Sequence, residues 1–205
     1  MIYLIGGSPR SGKSILAKRL AKKLNIPYIS TDNIRPIIMS SFKSEQRLKH
    51  FPFEKMFNPA AIDKYFKSYA SNKMLKTDLL EAKSMWLGTK SLIQHLLACK
   101  SDYIIEGVHL LPNLVKNFKD NKNVKIVFLT KLNADKILKG LVKNKQNGDW
   151  LIDNIKDKKS LPIAAKYLSD YGKYFKEETK KYDFKCFNTE DDFLSQINKI
   201  TNNFF

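Results

Sequence analysis

The chain has 205 residues, of which 43% are hydrophobic, so it can bury the core of one domain and is not a wholly disordered chain. Lys and Arg number 37 against 20 Asp and Glu, which gives a formal net charge of +17. Two cysteines are too few for a disulfide framework. No apolar run is long enough to cross a membrane, and the first residues do not have the pattern of a secretory signal. We therefore expect a cytoplasmic protein with no membrane partner.

The positive charge has two interpretations. A strongly basic chain can bind nucleic acid. However, only four of the basic residues are arginine and the other 33 are lysine, in a chain that is also rich in asparagine and isoleucine. An A/T-rich coding sequence produces the same composition. We expect coding bias to explain most of the charge, which makes nucleic acid a possible but less favoured partner.

Short apolar runs alternate with amphipathic segments along the chain. The runs predict strands at 2–5, 28–30, 102–105, 124–129 and 184–187. The segments between and after them predict helices that begin at Lys13, Lys73, Ala134, Leu161 and Asp191. This alternation is typical of a five-stranded parallel sheet with helices on both faces.

The second and third strands are ~70 residues apart, which is too far for a simple crossover. We expect a helical insertion at 36–101 on the acceptor side of a single domain that spans 1–205. The long helix at 73–99 should bury an apolar set that includes Leu80 and Leu87.

Residues 7–14 match the phosphate-binding pattern G-x-x-x-x-G-K-[ST] at every fixed position. The motif lies between an apolar strand and an amphipathic helix, which is the context this loop requires. The glycines let backbone N–H groups point at phosphate oxygens, while Lys13 should contact the β- and γ-phosphates and Ser14 should bind Mg²⁺. The predicted ATP-binding residues are Gly7, Ser8, Pro9, Arg10, Ser11, Gly12, Lys13 and Ser14.

Polar residues follow the second strand, at the edge of the sheet where open parallel sheets bind their ligands. Asp32 can accept the proton of an acceptor hydroxyl or hold a metal-bound water. Arg35 can bind an acceptor anion through paired N–H groups. The alternative for this segment is structural, with Ser30, Thr31 or Asp32 capping the next helix and Arg35 on its surface.

Polar residues also follow the third strand. Glu106 should emerge beside the phosphate loop, where a carboxylate can hold a magnesium-bound water, and Gly107 allows a substrate to approach closely. A salt bridge at the strand end is the alternative for Glu106, and packing is the alternative for His109. We predict Lys13, Asp32 and Glu106 as catalytic residues. The predicted acceptor-binding residues are Thr31, Asp32, Arg35, Gly107 and His109.

The segment 131–149 follows the fourth strand and is predicted to form a lid over the transferring phosphate. Cations there would neutralise the developing charge and exclude water, and the candidates are Lys136, Lys139, Lys143 and Lys145. A solvated lysine face is the alternative in a chain so rich in lysine. Asn188 and Thr189, after the fifth strand, are expected to border the nucleotide base.

Three segments together resemble the P-loop small-molecule kinases: LIGGSPRSGKS, IPYISTDNIR and YIIEGVHLLP. The resemblance is closest to 2-phosphoglycerate kinase-like proteins, which pair this loop with S-T-D-x-I-R and E-G-V-H-L-x-P segments. It implies a three-layer α/β/α P-loop NTPase fold of the nucleoside-kinase type with a short helical lid. It also implies ATP-dependent phosphoryl transfer to a small phosphorylated hydroxy acid, with Lys13 and Ser14 on Mg-ATP, Asp32 and Arg35 near the acceptor, and Glu106 near the metal.

A more distant similarity is to the adenylate kinases, in which a segment like S-T-G-D-M-L-R binds the acceptor nucleotide. The D-G-F-P-R motif of that family is replaced here by EGVHL at 106–110, and no arginine follows Arg47. These departures argue against a nucleoside monophosphate kinase.

We therefore predict a kinase that uses ATP and Mg²⁺ to phosphorylate a hydroxyl of a small anionic acceptor such as 2-phosphoglycerate, as a monomer or homodimer. One alternative is a kinase for nucleosides, nucleotides or 5′-hydroxyl nucleic acid, whose binding to a polyanion would weaken steeply with salt. Another is a non-catalytic regulatory module, which would bind ATP without transferring phosphate.

Overall fold

The core of the fold is a five-stranded sheet in which every pair of neighbouring strands is parallel. The computed structural model describes residues 1–52, 54, 59–67, 73–143 and 150–204. The strand order is β2-β3-β1-β4-β5, which confirms the predicted parallel sheet. The strands are β1 (Ile2–Gly7), β2 (Tyr28–Ser30), β3 (Tyr103–Glu106), β4 (Val124–Thr130) and β5 (Cys186–Asn188).

Helices connect the strands and cover the sheet. They are α1 (Lys13–Leu24), α2 (Thr31–Ser40), α3 (Ser44–His50), α4 (Pro59–Lys67), α5 (Lys73–Ala98), α6 (Pro112–Val115), α7 (Ala134–Lys143), α8 (Trp150–Asn154), α9 (Ser160–Lys181) and α10 (Phe193–Asn203). A 3₁₀ turn at Lys116–Phe118 follows α6. Among the described residues, no helix is both long and apolar enough to cross a membrane.

The two faces of the sheet are buried by different helices. Side chains alternate along a strand, so Ile2 and Leu4 of β1 face one hydrophobic cluster while Tyr3 and Ile5 face another. The first cluster includes buried side chains of α5 and α9, and the second includes those of α1 and α10. The predicted three-layer α/β/α architecture is therefore confirmed.

Helices α2 to α5, the helices described between β2 and β3, bring buried side chains to the main body of the protein. Phe51, Ile62 and Phe66 are buried in the same cluster as Ile2 and Leu4 of the sheet. Helix α2 begins at Thr31, before the predicted start of the insertion. The division into one domain with an acceptor-side insertion remains a prediction.

Helix α5 has the predicted extent, but its buried face differs from the predicted one. Leu80 and Leu87 are 44% and 77% exposed, so their assignment to the core was wrong. At 3.6 residues per turn these two leucines lie on one stripe, opposite the buried stripe that contains Glu81 and Met85. Because the helix is rich in leucine, its sequence did not show which of its faces is buried.

The last strand and helix begin two residues later than predicted. Strand β5 begins at Cys186 and α10 at Phe193. Asp192 has φ 46°, a left-handed conformation that precludes an α-helix starting at Asp191.

Candidate functional site

The phosphate loop begins where β1 ends. Gly7 has φ 134°, and a Cβ at this position would lie 2.0 Å from the carbonyl oxygen of Leu129 in the neighbouring strand. Only glycine fits between the strands there. The loop is closed on its other side by Thr189, whose hydroxyl donates to the Ser11 carbonyl at 2.7 Å. Thr189, predicted near the nucleotide base, thus contacts the loop itself.

Lys13 is held inside the loop. Its side chain is buried, and its Nζ donates to the carbonyl oxygen of Ser8 at 2.7 Å. Burial lowers the pKa of Lys13, while the negative charges of Glu106 and Asp32 act to raise it. The Ser8 hydroxyl is also buried and has no hydrogen-bond partner among the described residues. A buried cation and an unsatisfied hydroxyl in the same loop suit a phosphate oxygen.

Ser14 and Glu106 form the oxygen-rich part of the site. The Ser14 hydroxyl donates to Glu106 Oε1 at 2.9 Å, across from α1 to the end of β3. Glu106 is buried, and its position in β3 pairs with Ile5 of β1 and Ser30 of β2. These hydroxyl and carboxylate oxygens fit Mg²⁺, which prefers oxygen ligands.

Gly107 brings the end of β3 against the start of α2. It has φ 155°, and a Cβ on it would lie 1.7 Å from the Thr31 hydroxyl oxygen. That hydroxyl oxygen is 2.8 Å from Nδ1 of His109, so Thr31 and His109 are bonded to each other across Gly107. Ser30 caps α2 by accepting the N–H of Asp32 at 3.2 Å, which identifies the predicted capping residue.

Asp32 projects from the first turn of α2. Its side chain is 71% exposed, and its Oδ1 is 3.8 Å from Nδ1 of His109. An exposed carboxylate beside the phosphate loop and a buried imidazole is available to a hydroxyl that enters from solvent.

Arg35 and His109 converge on Glu81, a residue that the sequence reasoning missed. Arg35 is buried, and its Nε donates to Oε1 of Glu81. His109 Nε2 is 3.8 Å from the same oxygen. Glu81 is 3% exposed and lies on the buried stripe of α5. The spacing of Glu81 puts it on the same face of the helix as buried apolar residues, and this spacing was the signal that could have revealed it.

A second carboxyl lies one turn before Glu81 on the same helix. The hydroxyl of Tyr167, on α9, donates to Oδ2 of Asp78. Burial raises the pKa of Asp78 well above its ordinary value, and the negative charge of Glu81 adds to that effect. The nearby Tyr171 hydroxyl is buried and has no hydrogen-bond partner among the described residues. Burial and the charge of Glu81 therefore both favour the neutral form of the Asp78 carboxyl.

We expect Asp78→Asn to stabilise the protein increasingly as pH rises. The folded pKa of Asp78 lies above its unfolded value of about 3.9, so native stability falls as pH rises through that interval. Asparagine is neutral at every pH and removes this loss. The melting temperatures of the variant and the native protein should be similar near pH 4. By pH 7 the variant should melt at a measurably higher temperature than the native protein, because the native protein then bears the cost of the raised pKa of Asp78 and the variant does not. A difference that stayed constant from pH 4 to 8 in thermal melts would contradict this.

Two basic residues lie together beside the phosphate loop, on the side of α10. Arg10 has φ 61°, and burial lowers its pKa to about 10. Burial also lowers the pKa of Lys131, and the charge of Arg10 lowers it further. Lys131 Nζ lies 5.2 Å from the centre of the Phe193 ring. Two cations whose charges repel each other favour an anion between or beside them.

The predicted lid is only partly described. Lys136 Nζ is 2.6 Å from Oδ1 of Asp191, which links α7 to the loop after β5. Lys139 and Lys143 are exposed on α7. Lys145 lies in 144–149, outside the described residues, so the lid at 131–149 remains a prediction.

The sequence of the chain is similar to those of known kinases. No family model matches the chain. It is 28% identical over 137 residues to a 2-phosphoglycerate kinase of Methanocaldococcus jannaschii, which covers 66% of this chain and 43% of the relative. It is 26% identical over 150 residues to a 2-phosphoglycerate kinase of Methanothermobacter thermautotrophicus, which covers 68% of this chain and 45% of that relative. The chain thus spans less than half the length of these curated relatives.

Among solved structures, the deoxyadenosine kinase of M. mycoides with bound dATP shares the fold. The TM-score is 0.52 at 18% identity, and the match covers 100% of this chain and 99% of that one. The phosphate loop, the parallel sheet and these similarities together indicate that the chain has the fold of the P-loop kinases.

Proposed function

We propose that this chain transfers the γ-phosphate of ATP to a hydroxyl of a small anionic acceptor, with 2-phosphoglycerate as the first candidate. The observation that carries the proposal is that the segment 106–109 contacts both the phosphate loop and a second group of polar residues. Its first residue, Glu106, bonds Ser14 of the phosphate loop, and its last, His109, bonds Thr31 and approaches Glu81. One short segment therefore joins a nucleotide site to a second polar site beside it.

The nucleotide side of the site is suited to Mg-ATP. Lys13 would contact the β- and γ-phosphates, Ser14 would ligate the metal, and Glu106 would hold a metal-bound water. When bound, the metal ion would withdraw charge from the phosphate oxygens that it contacts. The burial of Lys13 strengthens its electrostatic contribution, because a charge acts more strongly where water is excluded. Arg10 adds a further cation at the same loop.

The acceptor side is suited to an anion that carries a hydroxyl. Arg35 presents a planar guanidinium, which binds carboxylate or phosphate groups through paired hydrogen bonds. Asp32 would orient the acceptor hydroxyl and accept its proton as the oxygen attacks the γ-phosphate. The sequence similarity to 2-phosphoglycerate kinases supports an acceptor that already bears a phosphate.

A transfer screen tests this proposal. The chain is incubated with γ-labelled ATP, Mg²⁺ and one acceptor from each class: phosphorylated hydroxy acids, sugars, nucleosides, nucleotides and 5′-hydroxyl oligonucleotides. We expect label on a phosphorylated hydroxy acid and none with Lys13→Ala. Transfer to a nucleoside or an oligonucleotide instead would overturn the acceptor class. Tight ATP binding with no transfer to any acceptor would overturn the kinase.

We expect Ser14→Ala to raise the Mg²⁺ concentration needed for half-maximal transfer by about tenfold or more. The substitution removes the hydroxyl ligand and the 2.9 Å bond to Glu106. A Mg²⁺ titration at saturating ATP measures the change. Ile15→Ala, at an exposed position of the same helix, is the matched control and should leave the titration unchanged. Equal Mg²⁺ curves for Ser14→Ala and the native protein would remove Ser14 from the metal site.

A further inference from the structure

Three elements of the acceptor side meet at Glu81. The residue lies on α5, Arg35 lies on α2, and His109 follows β3. We propose that Glu81 is a positioning residue, whose buried carboxylate holds Arg35 and His109 where they can bind the acceptor. This rests on the proposed function, because the acceptor is the ligand that those two side chains would contact.

A single oxygen of Glu81 serves both partners. Arg35 Nε donates to Oε1, and His109 Nε2 lies 3.8 Å from that oxygen. The other oxygen, Oε2, is buried and has no hydrogen-bond partner among the described residues. His109 is held from its opposite side by the Thr31 hydroxyl, 2.8 Å from Nδ1. The imidazole is thus bonded to α2 through Nδ1, and its Nε2 faces the Glu81 carboxylate of α5.

The guanidinium of Arg35 is restrained in two directions. Glu81 binds its Nε, and the ring of Phe51 has its centre 5.6 Å from the Arg35 Cζ. An arginine side chain that is already ordered loses less entropy when it binds an anion than a free one does. Holding Arg35 in place therefore favours acceptor binding even though Glu81 itself carries the wrong charge to contact an anion.

The charge state of Glu81 agrees with this role. Burial acts to raise its pKa, but its contacts with His109 and Arg35 lower the pKa overall. Burial raises the pKa of Asp78, one turn earlier. The two carboxyls form a pair for comparison: Glu81→Gln removes the carboxylate beside Arg35 and His109, whereas Asp78→Asn changes a carboxyl that bonds Tyr167 instead.

The kinetic test separates binding of the acceptor from binding of ATP. With 2-phosphoglycerate, or the acceptor found in the transfer screen, Glu81→Gln should raise the KM for the acceptor by about tenfold. The KM for ATP should remain within about twofold. Asp78→Asn should leave both KM values within about twofold of native. A rise of both KM values together, or an unchanged KM for the acceptor, would overturn the positioning role.

A second variant keeps the test decisive if Glu81→Gln does not fold. Glu81→Asp retains the charge but withdraws the carboxylate by one methylene from Arg35 and His109. It should give the same selective rise in the KM for the acceptor. Native kinetics in a folded Glu81→Asp protein would overturn the proposal.

A spectroscopic test does not depend on turnover. The chain has only four arginines, so their Nε–H signals can be resolved by ¹H–¹⁵N NMR. The Arg35 Nε–H should exchange slowly with solvent in the native protein and in Asp78→Asn, and at least about tenfold faster in Glu81→Gln. Equal exchange in all three proteins would show that Glu81 does not hold Arg35. If the native protein transfers phosphate to no acceptor, the proposed function fails and the acceptor role with it, but the exchange rates still report the contact.

Discussion

Replacing Lys13 with alanine should reduce phosphoryl transfer by about a thousandfold or more. The change removes a buried cation from the phosphate loop at 7–14, where the proposed function has charge develop on the transferred phosphate. The fold should survive. The substitution loses a hydrogen bond to the Ser8 carbonyl, but it also removes the cost of burying a charged ammonium group, which is the cost that lowers the pKa of Lys13. Single-turnover transfer rates and thermal melts measure the two effects separately.

Lys18→Ala is the matched control for this variant. Lys18 is exposed on the same helix, so its loss changes the net charge equally without touching the phosphate loop. Native rates in Lys18→Ala and a large loss in Lys13→Ala assign the effect to position. Full activity in Lys13→Ala would mean that residues 7–14 do not form the site of transfer.

Replacing Gly107 with alanine should both destabilise the protein and weaken acceptor binding. The added Cβ would overlap the Thr31 hydroxyl, 1.7 Å away, at a backbone φ of 155° that side chains rarely tolerate. We expect a loss of about 2–4 kcal/mol in the free energy of unfolding. Because Thr31 must move, its bond to His109 should also break. Chemical denaturation and the KM for the acceptor check the two parts.

Gly140→Ala is a control that should change the free energy of unfolding in the opposite direction. Gly140 lies in α7, and no atom of the described part of the chain lies within 4 Å of the position of an added Cβ. Alanine there should stabilise the protein by about 0.5–1 kcal/mol, since it favours the helix. If Gly107→Ala were as stable as Gly140→Ala, the close approach of Thr31 to Gly107 would be wrong.

The net charge of +17 explains little of the candidate functional site. The basic residues placed at the phosphate loop are Arg10 and Lys13, with Lys131 close by, and the acceptor side contains Arg35. Many of the other lysines are exposed, as at Lys18 and Lys139. The proposed function therefore requires a few buried or partly buried cations, rather than the overall excess of positive charge.

Local patterns were sufficient to predict much of the fold and the phosphate loop. Strand β1 is a continuous apolar run because both of its faces are buried, and the two fixed glycines of the loop, Gly7 and Gly12, stand where φ is 134° and 98°. Ser30 is a cap because its hydroxyl accepts an N–H two residues away. Each of these features depends on interactions between residues close in sequence or on the pattern of a single element.

The acceptor side depends on interactions between residues far apart in sequence. Glu81 lies 46 positions from Arg35, and nothing in its own segment indicates that the two meet. The phase of α5 decides that Glu81 is buried while Leu80 is exposed, and packing against the rest of the fold selects that phase.

The sequence by itself thus determined the strands, the phosphate loop and the places of Asp32, Arg35 and Glu106 at or just after the ends of β2 and β3, because those depend on local conformation. The alternation of strands and helices also indicated the parallel sheet. Only the tertiary structure decided that Glu81 would join Arg35 and His109, because a buried carboxylate is stable only where the fold brings cations and hydrogen-bond donors to it.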